Sequence, residues 1–275
     1  MAIKDSNIDT VLGTLRVRVT GSGDDTIVMW PSLLMDHSLW DAQVAHFSTR
    51  YTTIAVDPPG HGASSRLTRL FSLDECADCV VQVLDACDVA RTHFIGNSWG
   101  AMVGATLAAR HPDRVRCSVL MNGTASVASR SQRIRFDALL VMARILRGIH
   151  PPLTGAVVKA FLGPTSIATR PEVVRYVIAT ARANDITSVA PAVRSVVCQR
   201  EDQRQLLKSV RTPTLVIAGQ QDATFPPAET AEMAAAIPGA EYVLLHDAAH
   251  LAALEVPDVV NSLIDDFLHR HSVDG

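Results

Sequence analysis

Three turns of this chain carry residues whose types and spacing could do chemistry: a serine between two glycines, an aspartate, and a histidine. Gly96-Asn97-Ser98-Trp99-Gly100 lies between an apolar run, His93-Phe94-Ile95, and a small-residue helix beginning Ala101-Met102-Val103-Gly104-Ala105. This is the G-x-S-x-G pattern in a strand–turn–helix setting. A serine lifted above the end of a strand on so tight a turn is held in a strained backbone conformation, and the residues two before and two after it crowd the turn. Gly96 and Gly100 meet that demand. The chemistry on offer is nucleophilic attack by the Ser98 hydroxyl. The competing reading is an ordinary strand-to-helix turn with a serine near a helix N-terminus.

A serine hydroxyl needs a base, and the base needs an orienting group. Ten histidines compete for the first role. His93 lies within a strand, and His46 falls on a helix. His111, His269 and His271 sit at helix ends, where the helix dipole favours a cation without any function. His150 precedes two prolines. Of the remaining four, His37, His61, His246 and His250, the last has the best context. It follows the strand Tyr242–Leu245 by a short loop and precedes the closing helix, which puts it at a strand end on the face of Ser98. His246 is nearer the strand and is expected to point into the sheet or a side loop. Asp222 is the matching acid, in a loop directly after the preceding strand, with Asp247 as an alternative and a solvated loop aspartate as the competing reading. The order Ser98, Asp222, His250 is the chain order expected of such a sheet. An oxyanion hole would complete the site, with one donor the N–H of Trp99 and a second from the loop after Trp30.

Short apolar runs without clean alternation, Thr26–Trp30 and Thr52–Val56, read as strands buried on both faces. An opening antiparallel hairpin is expected from Asp9–Leu12 and Thr14–Thr20, split at Gly13. Ser72-Leu73-Asp74-Glu75 is a capping box for a helix running to about Asp88. Strands and helices then alternate: helix Trp99–Arg110, strand Cys117–Met121, and, much later, strand Thr214–Ala218, helix Pro227–Ile237, strand Tyr242–Leu245 and helix Val256–His269. From about Ser126 to Lys208 several helices follow one another with no strand between them. Alternation of this kind predicts a mostly parallel, doubly wound α/β sheet. The expected organisation is a core of residues 1–125 and 209–275 with a helical cap, 126–208, over the carboxyl ends of the strands.

Composition narrows the classes. The 275 residues suffice for one large α/β domain with an insertion, or for two small domains. A net charge of −3 asks for neither nucleic acid nor an anionic membrane surface. The polar opening, Met1–Thr10, is unlike a secretory signal, and no apolar stretch is long enough to span a bilayer. Five cysteines, an odd number, fit free thiols in the cytoplasm. Cys76-x-x-Cys79 invites a metal or redox reading. No second such pair exists, and both cysteines keep helical register with Val80, Val83, Leu84 and Cys87, as a core face would.

Taken together, these motifs resemble an α/β-hydrolase, over essentially the whole chain. The resemblance rests on Asp57-Pro58-Pro59-Gly60-His61-Gly62-Ala63-Ser64, on Gly96–Gly100, on Gly219-Gln220-Gln221-Asp222, and on Asp247-Ala248-Ala249-His250 with Glu255 and Pro257 following. Within the family, the segment Ser32–Asp41 is similar to the oxyanion loop of 3-oxoadipate enol-lactonases and related esterases. That likeness implies Leu33 as the second N–H donor and Trp40 as packing. Most members have His-Gly, and the lactonases Asn-Ser, where this chain has Pro31-Ser32; proline cannot donate, which leaves the Leu33 donor untouched. Leu34 stands where glycine is usual and narrows the acyl pocket. Pro59 replaces an arginine common in the lactonase motif, which argues against recognition of a dicarboxylate. His61 is implied to be a structural turn residue.

The implied reaction is hydrolysis of a small-molecule ester or lactone through an acyl-enzyme, with no metal and no organic cofactor. Carbon–carbon bond hydrolysis, acyl transfer to an alcohol, perhydrolysis on the same residues, and a binding protein without turnover are the alternatives. Epoxide hydrolysis and dehalogenation would need a carboxylate where Ser98 stands. Phe136, Leu139, Met142, Ile145, Phe161 and Leu162 are the candidate pocket lining, although core packing explains them equally well.

Overall fold

The computed structural model describes residues 3–271. Eight strands form one sheet: β1 (Ile3–Thr10), β2 (Gly13–Thr20), β3 (Thr26–Trp30), β4 (Thr52–Val56), β5 (Thr92–Asn97), β6 (Val115–Met121), β7 (Thr214–Gly219) and β8 (Glu241–Leu245). They lie in the order β1-β2-β4-β3-β5-β6-β7-β8. Only β2 runs against its neighbours, β1 and β4; every other pairing is parallel. The hairpin is longer than its sequence suggested. Its first strand begins at Ile3, in a mostly exposed edge stretch where polar Lys4–Asn7 obscure the alternation.

Alternate residues of the central strands feed opposite faces. Val28 and Trp30 of β3 and Phe94 of β5 enter one core, while Ile27, Met29 and Ile95 enter the other. Helices α1 (Asp41–Phe47), α2 (Leu73–Ala86) and α3 (Trp99–Arg110) cover these faces. Ser72 caps α2 through a full capping box. Cys76 and Cys79 are buried in the core alongside Val80, Val83 and Leu84, so the core-face reading of the cysteine pair holds.

Between β6 and β7 the chain contains no strand. It forms α4 (Arg130–Ile145), α5 (Leu153–Phe161), α6 (Pro164–Thr169), α7 (Pro171–Ala183), α8 (Ile186–Val193) and α9 (Arg204–Leu207). Residues Arg194–Cys198 continue α8 as a π-helical turn, shortly after Pro191, which has no N–H to give the helix ladder. The chain then returns to the sheet and closes with α10 (Pro227–Ala236), α11 (Ala252–Glu255) and α12 (Pro257–His271). Among the described residues, no helix is long and apolar enough to cross a membrane.

The order β4-β3-β5 reverses direction between β3 and β5. Connections leave the two strands toward opposite sides, which opens a crevice at their carboxyl ends. The loop after Trp30 and the turn at Ser98 border that crevice.

Candidate active site

Ser98 occupies the turn that the glycines permit. Its φ is +57°, the left-handed region, and it precedes the first turn of α3. A Cβ on Gly96 would lie 2.1 Å from the Gly100 oxygen, and one on Gly100 would lie 2.0 Å from the Trp30 oxygen. Neither position tolerates a side chain. The Ser98 N–H is held by the Met121 carbonyl at 2.8 Å, which seats the turn on β6.

His250 and Asp222 approach from two further strand ends. The Nδ1 of His250 donates to Asp222 Oδ2 at 2.8 Å, and both side chains are buried. The other carboxylate oxygen, Oδ1, accepts the N–H groups of Thr224 and Phe225 at 2.7 and 3.0 Å. Asp222 is thus tied down by its own loop and aimed at the ring, which leaves Nε2 as the free imidazole nitrogen. Phe161 stacks on the ring with centroids 5.4 Å apart, and Phe225 meets it edge-on at 5.5 Å.

The other histidines fall away. His246 is exposed. His61 is fully buried, donates from Nδ1 to the Pro59 carbonyl at 3.0 Å, and is pushed down to about 4 by burial, so it is a neutral structural residue. His37 makes its own pair with Asp57, Nδ1 to Oδ1 at 2.7 Å, outside the cavity that holds Ser98. Asp36, His37 and Asp57 bring three ligand-type atoms within 4.8 Å of one another. Arg16 already supplies the positive charge there, its Nη1 lying 2.6 Å from His37 Nδ1 and 3.5 Å from Asp57 Oδ2.

Two groups that sequence reasoning passed over bracket the site. Asn97 and Asn122, both fully buried, donate from Nδ2 to the His250 carbonyl at 2.8 and 3.0 Å. Asn122 Oδ1 accepts the Gly219 N–H at 2.7 Å, and Asn97 also donates to Ser32 Oγ at 2.7 Å. The two asparagines therefore join the ends of β3, β5, β6 and β7 to the histidine loop. A signal existed in the chain: each is an amide side chain at the end of an otherwise apolar strand run.

The loop after β3 turns at Ser32–Met35, closed by Met35 N–H on the Ser32 carbonyl at 3.2 Å. Leu34 has a φ of +63°, a conformation that favours glycine at this position of a turn. Its carbonyl is held by Asn184 Nδ2 at 3.0 Å, just beyond α7. Among the described residues, no hydrogen-bond acceptor takes the N–H of Leu33 or of Trp99. Leu33 lines the same cavity as Ser98, and Trp99 follows Ser98 directly in the chain.

A cavity of about 130 Å³ opens over Ser98 and His250. At roughly 10–15 Å³ per water on this measure, it has room for several carbon atoms beyond a reacting carbonyl. Leu33 and Leu34 line one end, and Phe136, Leu139, Phe161, Val189 and Phe225 are among the apolar residues of the rest. Among the described residues, Arg135 is, besides His250, the single charged or titratable side chain in this lining, and it is exposed. Three sequence candidates are corrected. Met142 and Ile145 are 40% and 76% exposed and lie outside the cavity, because on α4 the inward face is Phe136, Leu139, Leu140 and Ala143. Leu162 is buried in the core beneath α5 instead.

A family model described as "alpha/beta hydrolase fold" matches residues 25–257. The 3-oxoadipate enol-lactonase 2 of Acinetobacter baylyi is 28% identical over 242 residues, covering 87% of this chain and 86% of that protein. The pimeloyl-[acyl-carrier protein] methyl ester esterase of Nitrosomonas europaea is 27% identical, covering 92% of this chain and 99% of its own. Among solved structures, the enol-lactonase from Burkholderia xenovorans superposes with a TM-score of 0.88 at 28% identity, covering 96% of this chain and all of its own.

Proposed function

The chain belongs to the alpha/beta hydrolase fold family, and from that premise we propose that it is a serine hydrolase acting on a carboxylic ester or lactone with an apolar acyl part. One observation carries the reading. Ser98 and His250 share a single apolar cavity, and His250 turns its Nδ1 to the anchored carboxylate of Asp222. In the proposed reaction, His250 Nε2 takes the Ser98 proton as Oγ attacks the carbonyl carbon. Asp222 holds the imidazole in the required tautomer and stabilises the imidazolium. The N–H groups of Leu33 and Trp99 hold the oxyanion. His250 then protonates the leaving alcohol and activates water against the acyl-enzyme. The same residues would serve carbon–carbon bond cleavage or acyl transfer, which differ in substrate and acceptor rather than in machinery.

The substrate class follows from the lining. Residues from α4, α5 and α8 act as a cap over the crevice and surround the acyl group with aliphatic and aromatic carbon. An acidic substrate would find only Arg135 at the rim, which supports a neutral acyl group over the diacid that the enol-lactonase name suggests for the relatives.

A fluorophosphonate probe tests the assignment. Labelling is expected on Ser98 and lost in Ser98→Ala; modification of any other residue sinks it. A panel of p-nitrophenyl esters, lactones and dienoates then ranks the reactions, with neutral medium-length acyl esters expected to lead.

A further inference from the structure

A carboxylate outside the proposed chemistry ties the histidine loop to the helical segment. Glu255 is only 3% exposed, at the end of α11. Its Oε1 accepts the N–H groups of Ala249 at 2.8 Å and Leu251 at 3.3 Å, the residues on either side of His250. Its Oε2 accepts Ser166 Oγ–H at 2.6 Å and the Gly163 N–H at 3.3 Å, both in the helical segment. Ser166 Oγ in turn accepts Arg170 Nη1 at 2.7 Å, and the same nitrogen donates to the Asp247 carbonyl at 3.2 Å. These bonds close a ring through the histidine loop and the segment that carries Phe161.

The ring is built around the two oxygens of one buried carboxyl group. Among the described residues, no cation pairs with Glu255 directly, so its compensation comes from four donors. Burial pushes its carboxyl up while those hydrogen bonds draw it back, and burial prevails. A carboxylate is the side chain that can offer two acceptor oxygens to donors arriving from opposite sides. A purely stabilising acid would not need to bracket His250, which lines the same cavity as Ser98.

We propose that Glu255 is a positioning residue: it sets the backbone that carries His250 and makes the seating of the helical segment part of the same hydrogen-bond ring. The proposal rests on the reading of Ser98 and His250 given above. It predicts that the two oxygens have separable effects, the Oε1 side acting on the chemical step and the Oε2 side on substrate binding.

Three variants separate the sides, with competent sites counted by fluorophosphonate titration so that kcat is expressed per site. Glu255→Ala loses both sides, and kcat per site is expected to fall about 10–100-fold, as for a catalytic group displaced by a fraction of an ångström to an ångström. The rate constant for Ser98 labelling falls with it. Glu255→Gln keeps an oxygen for Ala249 and Leu251 but turns an amide toward Gly163; kcat returns to within about threefold of wild type while KM rises. Ser166→Ala removes one segment-side bond and raises KM with kcat held.

A kcat per site in Glu255→Ala within about twofold of wild type overturns the proposal. So does a loss of kcat in Ser166→Ala as large as that in Glu255→Ala. If Glu255→Ala does not fold, the other two variants decide: a fall in kcat with an unmoved KM in both refutes it. Failure of the wild-type protein to label at Ser98 removes the hydrolase reading and this proposal together. Labelling with an indifferent Glu255 removes this proposal alone.

Discussion

On the strand-end side of the cavity, Asp222, His250, Asn97, Asn122 and Glu255 are joined by hydrogen bonds whose partners come from four separate segments of chain. From the helices, α4, α5 and α8 present Phe136, Leu139, Phe161 and Val189, whose side chains are carbon throughout. The first wall is specified atom by atom, because removing one member leaves a buried partner unsatisfied. The second is specified by volume and shape, and apolar walls accept exchange of similar residues at small cost. Steep mutational effects belong to the first wall and graded effects to the second. Under the proposed function, geometry for chemistry and selection of substrate are held by different kinds of force.

The largest expected effect tests the polar wall at its centre. Asp222→Asn keeps the shape but favours the wrong imidazole tautomer, and kcat should fall by about 10⁴-fold with the thermal midpoint little changed. A loss of less than tenfold would show that the orienting role lies elsewhere, with Asp57 and His37 the pair to examine next.

Asn122→Ala tests how far that wall extends. It strips a donor from the His250 carbonyl and an acceptor from the Gly219 N–H, so a stability loss of about 1–3 kcal/mol is expected from the orphaned groups. A fall in kcat of about tenfold should accompany it through misplacement of the histidine loop. Denaturant unfolding beside steady-state kinetics measures both, and an unchanged kcat would confine Asn122 to stability.

Across the cavity, Leu139→Ala should move the preferred acyl chain toward greater length and change kcat/KM between chain lengths by about 10–200-fold at most. Met142→Ala, on the outer face of α4, should leave the preference where it was. If both variants shift selectivity alike, the contrast between inward and outward faces is wrong.

The most gradual effect is in acid. His61 and His93 are both held near 4 by burial, below the ordinary histidine range near 6.5. Between those values the unfolded chain takes up protons that the folded chain refuses. Their contribution is therefore intact above about pH 6.5 and lost as pH falls toward 4, at up to about 1.4 kcal/mol per pH unit for each histidine. Stability measured from pH 7 to 4 should drop less steeply in His93→Gln than in wild type. An identical slope would remove His93 from the explanation.

Much of this was legible along the chain. The central strands announced themselves as short apolar runs, and the triad candidates as polar residues directly after such runs, which is a local pattern. Ser72 was legible as a cap because its partner, Glu75, is three residues away. The start of β1 was obscured, because an exposed edge strand need not bury its residues and so carries a weak pattern. Glu255 was visible as part of a motif but not as a clamp, since its partners at Gly163 and Ser166 lie about ninety residues upstream. Asn97 and Asn122 stood out only as amides at the ends of strand runs, and their partners were not legible for the same reason: what they grip is a backbone carbonyl, and every residue has one.

Sequence alone indicated which segments alternate and about where the central strands end, and so placed Ser98, Asp222 and His250 as candidates at the carboxyl edge of the sheet. Those properties follow from short-range periodicity, turn sterics and the handedness of crossovers. The tertiary structure decided the rotation of α4 about its axis, which turned Leu139 and Leu140 inward and left Met142 and Ile145 facing water. It also decided which donors Glu255 and the two asparagines would meet, and it held Leu34 in a left-handed conformation through Asn184. These outcomes depend on contacts between segments far apart in the chain. Local propensity is nearly indifferent to them, and packing and buried hydrogen bonds make the choice.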